Sequence, residues 1–363
     1  MIHYKENWEE TKERFAAFWN RENTDRCCLA IQTGRSGSGN SGSGNSGGTR
    51  YPFKKEYTVE ERYCDPEYLY TAMTNTCERV EYLYESIPAQ MVNFGTAGEC
   101  QYFGAVPKYT DGTIWFDPVL VEPDADRLIY DDSRFRRHKE ITQGVADRAK
   151  GRYLVAMNDN CGIIDGLAHL RGTENLLLDM VENREFVHAA RDKIISVWKE
   201  TQKEFFDIIR DCNDGGSSHS WMQLWSPARH LQLQCDYCCM ISPAMFEEFI
   251  LPELEETSSA FEHCTYHLDG VEQLRHLDML LSVKGIDNIQ WTRVAGQPKT
   301  SASIEALRKI QAAGKGLVLI PDRDEIEFLM KNLSPVGLQL IVGWVNSREE
   351  AAEIEKMARE LAR

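Results

Sequence analysis

Eight short apolar runs, most of them separated by stretches of helical periodicity, restrict what this chain can fold into more than any other feature. They are 27–32, 88–95, 152–157, 218–224, 264–267, 286–291, 317–320 and 338–342. The runs are mostly continuous rather than alternating, which suits parallel strands covered on both faces. Strands interleaved with helices make an α/β protein, and eight of them favour a (β/α)8 TIM-type barrel over an open sheet. A length of 363 residues fits one such domain, and nothing in 1–363 marks a second.

The remaining segments fit around that frame. Residues 1–25 read as an N-terminal helical extension, with Trp8, Phe15, Phe18 and Trp19 on one face. Asp65 and Pro66 form a helix start, and the apolar spacing carries that helix to about Glu85. A long amphipathic helix spans 183–211, and Ser347 with Glu350 forms a capping box for the last helix. Residues 36–48 are Gly, Ser and Asn only, a flexible stretch that reads as an engineered linker and buries nothing. On the barrel reading it follows the first strand on the active-site side. Residues 96–130, with Trp115 and Phe116, form a long loop or subdomain of the kind that carries function.

Composition narrows the partners. A net charge of −16 argues against nucleic acid and against an anionic membrane surface. The first residues lack the apolar core of a signal peptide, and no run is long enough to span a bilayer. Eleven cysteines, an odd number, read as reduced thiols and so as a cytoplasmic protein.

In a barrel of this kind chemistry gathers at the carboxyl ends of the strands. That places His267 and Asp269, in the stretch Cys264 to Gly270, at the centre of the expected site, with Asp236 as a further catalytic acid. Asn158, Asp159, Gln223, Trp225, Gln290 and Trp291 are expected substrate contacts from other strand ends. Trp115, Trp221 and Tyr237 join the two tryptophans already named as residues able to cage a methylammonium, with core packing as the competing role.

Cys235-x-x-Cys238 followed by Cys264-x-x-His267 has the look of a structural zinc site. Strand alternation speaks against it, because Cys264 and His267 then face opposite sides. A catalytic metal held by His267, Asp269 and a thiolate from Cys238 or Cys239 is the better arrangement, and zinc held so would keep a thiol as thiolate. Without a metal, Asp236 or Asp269 would serve as a general acid or anchor a cation.

The run from Cys235 to Pro252, with its Ile-Ser-Pro-x-x-Phe and Leu-Pro elements, then Tyr-His-Leu-Asp-Gly at 266–270 and Ile-Gln-Trp at 289–291, resembles the uroporphyrinogen decarboxylase superfamily, which includes the cobamide-dependent methyltransferases. The resemblance covers about residues 150–345 and implies a TIM-type barrel, frequently dimeric. Residues 20–60 lack the decarboxylases' arginine-rich signature. Asp269 stands where the zinc-dependent methyltransferases have a cysteine, and 317–322 contains no cysteine for a third ligand. The resemblance therefore implies a methyltransferase moving a methyl group from a small methylated compound to a corrinoid protein, with the cobamide carried on that partner and zinc as a conditional cofactor. A decarboxylase or other lyase of a small carboxylate, and a non-catalytic small-molecule-binding barrel, are the alternatives.

Overall fold

The computed structural model describes residues 2–35 and 51–362. The expectation for 36–48 falls outside the described residues. Thirteen strands are formed among the rest: β1 (Cys28–Gly34), β2 (Val80–Tyr84), β3 (Ala89–Gln90), β4 (Pro107–Tyr109), β5 (Ile114–Phe116), β6 (Leu154–Val155), β7 (Ser217–His219), β8 (Leu224–Ser226), β9 (His230–Gln234), β10 (His263–Asp269), β11 (Asn288–Thr292), β12 (Gly316–Leu319) and β13 (Leu338–Trp344).

Seven of them make the central sheet, in the order β2-β1-β13-β12-β11-β10-β9. Every neighbouring pair in it is parallel except β1 with β2. The molecule is thus a mixed α/β protein around a parallel sheet. The pairs β3–β6 and β7–β8 lie beyond β9. Backbone bonds link them: Met157 N–H donates to the Ser218 carbonyl at 2.9 Å and Leu154 N–H to that of Pro88 at 2.8 Å. The His230 N–H donates to Ser217 Oγ at 2.9 Å, tying β9 to β7.

Two departures from the sequence reading matter. The helix opening at Pro66 ends at Cys77, and Val80–Tyr84 is a strand antiparallel to β1. Its Val-Glu-Tyr-Leu-Tyr composition is β-branched and aromatic, which favours a pleated surface over a helix. The buried Lys5 ammonium donates to the Tyr82 carbonyl at 3.0 Å and also to that of Tyr84. The expected strand at 218–224 is instead β7, a turn in which Gln223 adopts φ +49°, and antiparallel β8. The parallel strand of this region is β9, which the apolar-run criterion passed over.

The helix Trp8–Trp19 covers the amino-terminal end of the sheet. Trp19 Nε1–H donates to the Trp225 carbonyl at 2.9 Å and stacks on His263 at 4.2 Å between ring centres. Trp8 meets Trp225 edge-on at 5.5 Å. The long helix forms as expected, over Arg184–Ile209. Among the described residues no helix is long and apolar enough to cross a membrane.

Candidate active site

The register of three adjacent strands creates the site. His267 on β10 lies between Gln234 on β9 and Gln290 on β11, and Asp269 lies beside Thr292. Thr265, His267 and Asp269 share one face because side chains alternate along a strand. Cys264, on the opposite face, is buried against the Ser258 carbonyl. The alternation that argued against a Cys264–His267 metal site therefore appears in the fold.

Asp236 follows β9 and swings to the same place. One donor atom each from Asp236, His267 and Asp269 lies within 4.8 Å of the others, and among the described residues this is the single such group of three. Asp236 is held by its neighbours: Gln234 Nε2 donates to Oδ2 at 3.2 Å and Gln273 Nε2 to Oδ1 at 3.5 Å. Its backbone is clamped by Asp165, whose Oδ2 accepts the Asp236 N–H at 2.9 Å and whose Oδ1 accepts the Tyr237 N–H at 2.8 Å. Asp165 lies in the first turn of the helix Ile163–Arg171, where partial positive charge favours a carboxylate. The helix comes this close because residue 162 is glycine. A Cβ there would lie 2.0 Å from the Gln234 carbonyl oxygen.

His267 is oriented by Gln290. Gln290 Nε2 donates to Thr292 Oγ1 at 2.9 Å, which turns the amide oxygen toward His267 Nδ1. Nδ1 therefore carries the proton and Nε2 keeps its lone pair. Trp221 stands edge-on to the imidazole at 5.2 Å. Burial lowers the His267 pKa, opposed by the Gln290 hydrogen bond and the Asp269 charge, so the ring is neutral at neutral pH.

The carboxylates crowd each other. Asp236 keeps contact with solvent, yet its pKa is pushed up from 3.8 to about 7, first by loss of hydration and then by the charges of Asp165, Asp269 and Asp159. Burial raises Asp159 to about 6. A pocket of about 220 Å³ opens beside Asp236, with Asp165, Thr96, His169, Thr173 and Tyr237 on its walls. A neutral imidazole nitrogen and two carboxylates within this span form an N, O, O donor set that leaves positions open for a substrate.

The expected site residues divide clearly. Asp236, His267 and Asp269 come together, with Gln290 and Trp221 touching His267. Asp159 acts on Asp236 through its charge, and Tyr237 lines the pocket while its hydroxyl donates to the Thr173 carbonyl at 3.0 Å. Asn158 is buried, and its amide donates to Glu99 at 3.2 Å.

The structure does not bring the others to the cluster. Trp225 is buried under the N-terminal helix, with Nε1–H donating to the Asn213 carbonyl at 2.9 Å. Trp291, next in sequence to Gln290, is buried in the hydrophobic core on the other face of β11. Gln223 holds backbone, its Oε1 accepting from Ser86 Oγ at 2.7 Å and Ile87 N–H at 2.9 Å. Trp115 is 62% exposed on the β4–β5 ribbon. Cys239 is exposed and stands outside the donor group, where Asp236 takes the third place.

Asp165, Gln234 and Gln273 were missed. A signal existed for Gln234, since His230-Leu-Gln-Leu-Gln234 alternates strictly between polar and apolar residues, the signature of a strand with one polar face.

No protein-family model and no curated protein matches this sequence. Among solved structures the chain is similar to a methyltransferase from Methanosarcina mazei, with a TM-score of 0.62 and 10% identity over 98% of this chain and 99% of that one. At that identity the likeness establishes a shared fold.

Proposed function

We propose that this protein is a methyltransferase that takes a methyl group from a small methylated compound and passes it to a corrinoid protein. The observation that carries the reading is the convergence of Asp236, His267 and Asp269 at the carboxyl ends of parallel strands, beside a pocket sized for a small molecule. The fold shared with a methyltransferase supports it. The bonds joining β9, β7, β6 and β3 support closure of the strands into a (β/α)8 barrel, whose mouth would hold this cluster. A homodimer acting in the cytoplasm completes the reading.

His267 Nε2, Asp236 and Asp269 would hold a divalent cation such as zinc with a position left open. Such an ion would supply Lewis acidity at the donor's heteroatom. The protein's own part is positional. Gln290 fixes the imidazole tautomer, Asp165 fixes the loop that carries Asp236, and Trp221 packs edge-on against the ring. In a site without the ion, Asp236, pushed up to about 7, could instead give a proton to a leaving group or take one from it. A reduced corrinoid on the partner protein would supply the nucleophile for the methyl carbon.

The test is incubation of the protein with a Co(I) corrinoid protein and a panel of methylamines and methyl ethers, following the corrinoid spectrum. Formation of a methylated corrinoid with one donor class is the expected result. No methylation with any donor, by protein loaded with zinc and protein without it, would sink the proposal.

A further inference from the structure

The inner face of the sheet beside His267 is closed off by a turn from elsewhere in the chain. Strand register places His267, Gln290, Val318 and Gln339 side by side on that face. The turn between β7 and β8 lies against it: Gln339 Nε2 donates to the Met222 carbonyl at 3.1 Å and to that of Gln223 at 2.8 Å. Gln223 stands at φ +49°, a left-handed conformation that a non-glycine residue keeps only where its surroundings hold it. Its side chain closes the turn on the Ser220 carbonyl at 2.7 Å. Met222, Val318 and Gln339 are fully buried. Trp221 on the same turn, and Ile341 two residues past Gln339, pack on that layer and are only partly buried. The turn is therefore a plug, and the accessible part of the inner face begins at Trp221 and Ile341. A bulge in β13 extends this apolar surface. Ala30 pairs with Ile341, but Ile31 pairs with Gly343 and Gln32 with Trp344, so Val342 is an extra residue. Gly343 takes φ +75°, as such a bulge favours. Plain alternation would send Trp344 to the face opposite Ile341; the extra residue brings it to the same face, at the strand's carboxyl end and 45% exposed.

We propose that Trp221, Ile341 and Trp344 form an apolar half of the site that seats the non-reacting part of the methyl donor, and that this part is an uncharged alkyl or aryl group. The inference rests on the methyl-transfer reading of the same site. Trp221 stands 5.2 Å edge-on from His267, so a donor lying on it has its heteroatom within reach of the polar cluster. Large apolar side chains left open to water gain when an apolar group covers them, whereas a charged group laid on them loses hydration without a partner. The two irregular pieces of backbone are thus specificity elements. The plug sets how deep the donor can lie, and the bulge turns Trp344 inward to hold its far end.

Binding to the full chain, read by calorimetry, separates this from the methyl-transfer reading. The probes are thioanisole, 4-(methylthio)benzoate and 4-(methylthio)benzylammonium, which share a ring and a methylthio group and differ mainly in charge, with dimethyl sulfide as the donor that lacks a body. Thioanisole is expected to bind at least about tenfold tighter than either charged analogue. Trp344→Ala and Trp221→Ala should each weaken thioanisole about three- to tenfold and leave dimethyl sulfide nearly unchanged, whereas a merely structural role would weaken both alike. A thermal melt establishes that each is folded; either variant suffices, and the charge selectivity of the parent chain is a test by itself. No measurable binding of thioanisole, equal or tighter binding of a charged analogue, or an unchanged ratio of thioanisole to dimethyl sulfide in a folded variant overturns the inference. Methyl transfer confined to donors with charged bodies overturns it too and leaves the methyl-transfer reading standing. Selective thioanisole binding without transfer supports the inference and counts against transfer alone.

Discussion

The two ends of the central sheet handle buried charge in opposite ways. At the amino-terminal end Arg26 forms a bidentate pair with Glu85, at 2.7 and 2.9 Å, and Glu85 also accepts the Leu29 N–H at 2.7 Å. Both side chains are nearly fully buried. At the carboxyl end Asp236 and Asp269 flank a neutral His267, and among the described residues neither forms an ion pair with Lys or Arg. A pair of that kind locks β1 to the strand beside it and loses heavily if one partner goes. An unpaired group is the reverse, a local instability kept for what it can bind.

The comparison is most readily broken at the paired end. Glu85→Ala removes the bidentate partner of a buried guanidinium, leaving it the 3.3 Å contact with Glu355, and should cost about 3 kcal/mol in urea unfolding, whereas Asp269→Asn should leave unfolding nearly unchanged. If both variants lose stability equally, the contrast between the ends fails. In methyl transfer the order reverses, with His267→Ala expected to lose about 10²-fold or more in kcat/KM and to stay folded. Gly162→Ala tests the join between helix and β9: the new methyl has to displace the Gln234 carbonyl, so both stability and activity should fall, as melting temperature and kcat/KM would register.

A subtler measurement sharpens the contrast by pH. Asp236 binds its proton more tightly folded, near 7, than unfolded, near 3.8. The native state therefore holds more protons between those values, and stability falls as pH rises through that window. Asp236→Asn should flatten this fall, and unchanged curvature in parallel denaturation series would count against the crowding described. The smallest effect is expected from Gln290→Glu. A carboxylate facing Nδ1 should raise the His267 pKa, visible in its imidazole NMR titration, and move the pH profile with it.

Much of this was legible in the sequence, and the failures have physical causes. The α/β class followed from apolar runs and helical spacing, and His267 with Asp269 from their place after such a run. The same period-two rule that separated Cys264 from His267 also separates Gln290 from Trp291, and applied there it sends the tryptophan to the core. Strand β9 escaped because its inward residues are His230, Gln232 and Gln234, so it contains no apolar run at all. Asp165 carries no local sign of its role, since it acts on backbone 71 residues away.

The aromatic cover at the base of the sheet has a consequence for how the chain is made. Trp19 must wait for Trp225, 206 positions later, and Arg21 for the Asp287 carbonyl, 266 later. At roughly 5–20 residues per second of synthesis, the first helix spends on the order of 10–50 s with its apolar face uncovered on the ribosome. This helix is thus made well before the residues that bury it, and its tryptophans stay uncovered during that interval.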